Sequence, residues 1–209
     1  MDASAAEALG DGRIARACGV AREHLPGLVA LFEAASCHCY CQWWQFAGDD
    51  NAWQLRWGEE PLANRVALAG DFDSGAFGGE RPGGVVALDA ERVVGWLRQS
   101  PSAAVPKMFT RRGYRDLPWF RQERTGVHII GCVLVHPESR RRGVARVLIE
   151  GAIAQARREG ARALEALPRN SSEPLGDEAL WLGPMKLYAE LGFGEVAGIA
   201  GYPVMRIDL

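Results

Sequence analysis

The sequence lacks the features that define several large protein classes. No apolar run approaches the roughly 20 residues needed to span a bilayer, so a membrane-spanning helix is not expected. Net charge is only −2 over 209 residues, which leaves no surplus of either sign for a general nucleic-acid or membrane-surface binder. Cysteine is scarce and uneven: Cys18, Cys37, Cys39, Cys41 and Cys132 are odd in number, with three crowded into one short stretch. That pattern is not a disulfide framework, and a reducing, cytoplasmic setting is expected. No internal repeat is visible. Residues 1–12 carry neither the basic start nor the apolar run of a secretory leader, and they read as a frayed terminus.

What is present suits a buried core. Apolar residues make up 48% of the chain, and the length fits one largish domain over residues 1–209. Residues 13–20 read as a first strand. A helix follows from His24, with Leu28, Val29, Leu31 and Phe32 at helical spacing. Asp49 or Asp50 caps a further helix that carries Trp53 and Trp57. The glycine-rich stretch 70–84 reads as loop, and 85–88 with 92–97 as a hairpin. Residues 103–126 break the pattern with interleaved arginines and aromatics. They form an insert, either a solvated loop anchored by aromatics or a flap near a ligand.

From Val127 the periodicity sharpens. Residues 127–135 form a near-continuous apolar run, the mark of a strand buried on both faces. Residues 144–159 carry a helical stripe, and Gly160 sits where a left-handed cap belongs. Residues 161–167 are a second strand, so strand, helix and strand suggest a crossover between parallel neighbours. Residues 178–191 read as a helix broken near Gly183-Pro184. Residues 193–197 and 202–207 are terminal strands.

The sharpest motif joins the buried strand Val133-Leu134-Val135 to a basic turn, Arg140, Arg141 and Arg142, and then to Gly143, Val144, Ala145 and Arg146. The first N–H groups of a helix have no internal partners, and that helix end carries partial positive charge. Gly143 lets a ligand approach the backbone. Such a turn cradles a pyrophosphate. Arginines there oppose the helix dipole unless an anion is at hand.

These residues resemble the GNAT superfamily of N-acetyltransferases, whose pattern of Arg or Gln, two residues, Gly, one residue, Gly or Ala is met by Arg140, Gly143 and Ala145. Tyr188-Ala-Glu-Leu-Gly192-Phe193 is similar to that family's Tyr-x-x-Leu-Gly-Phe. The resemblance implies an α/β (α+β) fold, the GNAT acyl-CoA N-acyltransferase fold, with a mixed, mostly antiparallel sheet and flanking helices. It implies acetyl-CoA as donor, held by main chain at Val133, Leu134 and Val135 and by the turn Arg140–Arg146. It also implies an N-acetyltransferase that moves an acetyl group to a primary amine by direct attack in a ternary complex. The partners expected are a small-molecule or peptide amine, no nucleic acid, no membrane, and in a homodimer a second copy of the chain. The alternative is a non-catalytic acetyl-CoA sensor or interaction module on the same fold.

Within that reading, Tyr188 is the expected acid for the departing thiolate; a core tyrosine packing the last helix on the sheet is its plainer reading. Glu165, a carboxylate in the middle of the apolar run Ala163-Leu-Glu-Ala-Leu, is the expected base; an outward-facing strand residue is its plainer reading. His136 follows the coenzyme strand and could titrate near neutrality. The oxyanion donor is expected from the Leu134 or Val135 amide. Asn170 falls where relatives place an asparagine, but too far from Tyr188 in the chain. Cys37, His38, Cys39 and Cys41 offer metal-ligand types at poor spacing, so no metal is expected; on an extended segment the three cysteines share one side. Tyr40, Trp43 and Trp44, with Trp53, could wall an acceptor pocket, because aromatic faces attract ammonium groups.

Overall fold

The computed structural model describes residues 6–8, 14–60, 62–74, 83–110, 114–173 and 175–209. Among them, eight strands form one sheet: β1 (Ala6–Ala8), β2 (Ile14–Gly19), β3 (Gly83–Asp89), β4 (Arg92–Pro101), β5 (Val127–Val135), β6 (Ala163–Ala166), β7 (Gly194–Ile199) and β8 (Tyr202–Asp208). The helices are α1 (Leu25–Ala34), α2 (Asp50–Glu59), α3 (Ala63–Asp73), α4 (Pro106–Thr110), α5 (Val144–Arg158) and α6 (Met185–Glu190). Strand order is β1-β2-β3-β4-β5-β6-β8-β7. All neighbours are antiparallel except β5 and β6, which α5 connects. The mixed, mostly antiparallel sheet with flanking helices is the fold expected from the sequence.

Alternation along the strands sorts the core into two layers. On β3, Val85 and Ala87 pack beneath α5, while Val86 and Leu88 face α1. The α5 layer takes Val144, Leu148, Ile149, Ala152 and Ile153, the stripe visible in the sequence. Gly95 of β4 lets the first turn of α5 come close, since a Cβ there would stand 2.8 Å from Val144 Cγ1. Gly160 adopts φ +72°, the left-handed cap that ends α5. Asp49 caps α2 through its carboxylate, which accepts the Ala52 N–H at 2.8 Å.

Several expectations need correction. Residues 6–8 of the supposedly frayed start pair with β2; residues 1–5 and 9–12 lie outside the described residues. Helix α3 was not read from the sequence, and it takes in residues 70–73 of the expected loop, whereas 75–82 are outside the described residues. Its apolar residues do not mark a buried stripe: Leu68 is buried but Val66 is exposed, and the other buried residue is the polar Asn64. The expected helix over 178–191 shrinks to α6, because Gly183 takes φ +83° and Pro184 follows it.

The insert 103–126 is anchored by aromatics with exposed residues between them, and its Lys107 stands 3.9 Å from the ring centroid of Trp43. Val105, Met108, Tyr114 and Phe120 are buried in a third cluster with Trp44, Ile129, Leu167, Leu182 and Val204. It is a cap packed over the far half of the sheet, and residues 111–113 lie outside the described residues.

Candidate active site

The site begins where β5 loses its neighbour. β5 pairs with β6 only from Val127 to Ile130, and the chain leaves β6 at Leu167-Pro168 while β5 runs on to Val135. On its other side β5 stays paired with β4, apart from a register shift that leaves Gly131 outside the ladder. The Gly131 carbonyl is captured by the Trp44 indole, whose Nε1 donates at 2.9 Å. The pairing also fixes where amides point. His136 N–H donates to Val94 O at 2.9 Å, and antiparallel pairs alternate in direction. Leu134 therefore faces β4, whereas Val133 and Val135 face the parted edge. Leu134 is thus removed as an oxyanion donor, and Val135 is retained.

At the end of this edge the chain turns into α5. Gly143 is the N-cap of α5, with φ +80°, and Arg141 also adopts positive φ, +62°. Left-handed backbone at a non-glycine residue costs about 1–2 kcal/mol, which functional turns commonly tolerate. The first internal acceptor is Gly143 O, which takes the Arg146 and Val147 amides, so the amides ahead of them lie at the open end of the helix.

Edge and turn open into one cleft of about 960 Å³. Of the residues expected to hold a coenzyme, Val133, Leu134, Val135, Arg140, Arg141, Gly143, Val144, Ala145 and Arg146 line it; Arg142 is exposed and does not. The turn's cations already have carboxylates. Arg140 Nη1 lies 3.0 Å from Asp177 Oδ2, Arg141 Nη2 lies 3.4 Å from Asp177 Oδ1, and Arg146 pairs with Glu190. The dipole argument for an anion is therefore met in part by the protein itself.

The cleft is also lined by Trp43, Trp53 and Trp57, with Cys37, Cys39 and Cys132. Trp43 was expected there. Tyr40 and Trp44 are not part of this wall: Tyr40 packs against Phe32, and Trp44 stacks on Trp181 at 5.9 Å. Trp57 and Trp181 take their place on the lining. The cause is local. Tyr40 and Cys41 adopt φ +45° and +55°, so the segment turns instead of running extended, and the alternation argument fails. Cys41 is buried, while Cys37 and Cys39 reach the cleft.

All five cysteines are reduced, and among the described residues no set of three or more His, Cys, Asp or Glu is arranged to hold a metal. The Cys37 and Cys39 sulfurs lie 3.5 Å apart. The contact with Cys39 and then burial push the Cys37 thiol up. At Cys39 the contact with Cys37 works downward, but Cys41 and burial outweigh it and the thiol is also raised. Neither is an activated nucleophile, since reactivity needs the thiolate.

Glu165 does not line the cleft. It is fully buried, and its oxygens accept from Arg124 Nη1 at 3.1 Å and Nη2 at 2.5 Å, Arg206 Nη1 at 3.0 Å and Trp119 Nε1 at 3.2 Å. A carboxylate so committed has no lone pair aimed at an amine, and the expectation of a base gives way to a structural clamp. His136 likewise lies off the cleft, beside Arg92 Nη2 at 2.7 Å. Burial, and then Arg92, hold its imidazole below its usual range. Asn170 is exposed, and its main-chain N–H donates to Gly201 O at 2.9 Å.

Tyr188, like Glu165, does not itself line the cleft: it is fully buried behind the cleft-lining Gly183 and Pro184, and its hydroxyl donates to Leu182 O at 2.8 Å, so a role as acid requires that bond to be exchanged. Burial, and then Cys132, push the phenol well above its usual range, so it keeps its proton.

Comparison with known proteins bears on the fold and the family. The sequence matches the acetyltransferase (GNAT) family over residues 44–193. The GNAT domain of PAT from S. lividans is 18% identical, with 100% of this chain and 99% of that one covered and a TM-score of 0.59. The PaiA N-acetyltransferase of Thermoplasma acidophilum, solved in complex with coenzyme A, is 10% identical over 93% of this chain and 99% of that one, with a TM-score of 0.53. The ribosomal-protein-alanine N-acetyltransferase of Brucella melitensis is 19% identical over 92% and 99%, with a TM-score of 0.51. No curated protein matches the sequence. The structural likenesses establish the fold, and the family match, which takes in more than half of the chain, establishes membership: the chain belongs to the GNAT acetyltransferases, acyltransferases whose donor is acetyl-CoA.

Proposed function

We propose that the protein is an N-acetyltransferase that passes the acetyl group of acetyl-CoA directly to a primary amine bound against Trp43, Trp53 and Trp57. The observation that carries this reading is continuity. One cleft joins the basic turn at Gly143, the parted edge of β5 and the tryptophan wall. Diphosphate, thioester and acceptor can then lie in line, so the amine meets the thioester without a covalent enzyme intermediate. The raised Cys37 and Cys39 thiols fit that direct route. The reduced cysteines also suit a cytoplasmic protein.

The steps follow from the chemistry. The amine nitrogen attacks the thioester carbon, the C–N bond forms, and the C–S bond breaks. The carbonyl oxygen gains negative charge, and the Val135 amide, facing the parted edge, is the proposed donor to it. The amine loses its proton to water in the cleft. For an alkylamine of pKa near 10.4 that costs roughly 4.6 kcal/mol at pH 7. The sulfur leaves as a thiolate, and the Tyr188 hydroxyl is the proposed donor to it. The acceptor, a small molecule or a peptide, is placed so that its ammonium or neutral amine meets aromatic faces.

The test is thiol release from acetyl-CoA with a panel of amines, alongside calorimetric titration with coenzyme A. Coenzyme binding with amine-dependent thiol release is the expected result. Binding with no turnover on any amine would instead favour a sensor. A second expectation concerns the turn. Gly143→Val places a β-branched residue at φ +80° in the cradle. A left-handed backbone there costs about 1–2 kcal/mol, and coenzyme affinity is expected to fall by about tenfold or more. An unchanged dissociation constant would move the pyrophosphate away from Gly143.

A further inference from the structure

One short segment reaches both of the features that a coenzyme needs. Asp177 spreads its carboxylate across Arg140 at 3.0 Å and Arg141 at 3.4 Å, two of the cations at the mouth of the turn. Four residues later, the Trp181 carbonyl accepts the Val133 N–H at 2.7 Å. Val133 supplies one of the two amides on β5 that face the parted edge. Asp177, Leu180 and Trp181 all line the cleft. A carboxylate thus stands where a phosphate would be drawn, and a peptide carbonyl where the amide of a pantetheine arm would bond.

We infer that this segment is an internal competitor for the coenzyme: Asp177 and Trp181 close the turn and the edge in the free protein, and acetyl-CoA displaces them on binding. The inference rests on the coenzyme reading above and adds its regulation. The holding contacts are of the kind that exchange readily. Arg141 is 82% exposed and Asp177 37%, and ion pairs this open are weak. A pyrophosphate brings more charge and more acceptor oxygens to the same guanidinium groups, so it wins the exchange. The segment between is a three-residue 3-10 turn at Asp177–Ala179, and the Trp181 ring stacks on Trp44 at 5.9 Å, so displacement of the strap also slides that stack. At its far end it is fixed: Gly183 turns at φ +83°, and Leu182 O takes the Tyr188 hydroxyl. Release of Asp177 and Trp181 can therefore swing the strap from Gly183 without unfolding α6.

The experiment is titration of coenzyme A into the full chain and its Asp177→Asn variant. Loss of two exposed pairs is expected to tighten coenzyme A about 3- to 10-fold. Equal or weaker binding overturns the inference and makes Asp177 an orienting partner of the arginines. Failure of both proteins to bind coenzyme A overturns it together with the coenzyme reading. A measurement on the unaltered chain guards against a variant that does not fold. Amide exchange of residues 175–182 is expected to quicken several-fold when coenzyme A saturates the protein. Unchanged or slowed exchange would show that the strap stays closed and would overturn the inference.

Discussion

Replacing Glu165 by glutamine is expected to destabilise the protein by about 3–5 kcal/mol, because it leaves the largely buried Arg124 without its counter-ion and Arg206 with only the exposed Asp208. The carboxylate is fully buried, and the Arg124 and Arg206 side chains are only 13% and 14% exposed, so solvent cannot take its place. Both arginines also lie over aromatic rings: Arg124 stands 5.3 Å from the Phe120 centroid and Arg206 5.7 Å from that of Trp119. Glutamine keeps the shape but supplies one neutral acceptor oxygen and a donor aimed at cations. For a chain of this length the loss corresponds to a fall in Tm of about 6–20 °C. Thermal unfolding checks it. Turnover below the transition is expected to stay within about a factor of two, since Glu165 does not line the cleft. A variant with normal Tm and a rate lowered a hundredfold would restore Glu165 as the base. The clamp also has a constructive reading: it fastens the insert carrying Trp119 and Arg124 to β6 and β8, the far half of the sheet.

That residue shows how the sequence informs and where it stops. A carboxylate in the apolar run Ala163-Leu-Glu-Ala-Leu is anomalous on its face, and local reasoning asks what it does. Its partners lie 41 residues away on either side, at Arg124 and Arg206, and no periodicity reports a pairing of that kind. The elements that were legible rest on local repetition. The α5 stripe, the β5 run and the Gly160 cap each follow from residues within a few turns of one another. The turn from Arg140 to Arg146 was legible for the same reason, as strand, glycine and helix are contiguous in the chain.

The tryptophan wall was legible in part. Aromatic density near Trp43 pointed to the right region, but positive φ at Tyr40 and Cys41 reversed which side chains face the cleft. Trp181 entered the lining from the loop before α6, and the signal for it was weak: a tryptophan beside Gly183-Pro184. Asp177 gave no signal, since a lone aspartate in a polar loop is ordinary until its arginines are seen.

Tyr188→Phe is expected to lower kcat about a hundredfold, the range typical of a positioned proton donor, while the dissociation constant for coenzyme A stays within about a factor of two. The two readings of this tyrosine differ in what they move. As a packing residue its hydroxyl only satisfies Leu182 O at 2.8 Å, and its loss would cost about 0.5–1.5 kcal/mol of stability with the rate unchanged. As a donor to the departing sulfur its loss lowers kcat at fixed coenzyme affinity, because the interaction forms only as charge develops. The pH profile separates them further. Burial, and then Cys132, raise the phenol above its ordinary pKa near 10, so it is protonated at every pH below that value. A raised pKa keeps the donor in its working state as pH rises, so Tyr188 itself sets no alkaline limb on kcat up to about pH 10. Any rise with pH across that range then belongs to the amine. A phenylalanine variant with wild-type kcat and a lower Tm would leave Tyr188 as a packing residue and return the question of what protonates the leaving thiolate to solvent.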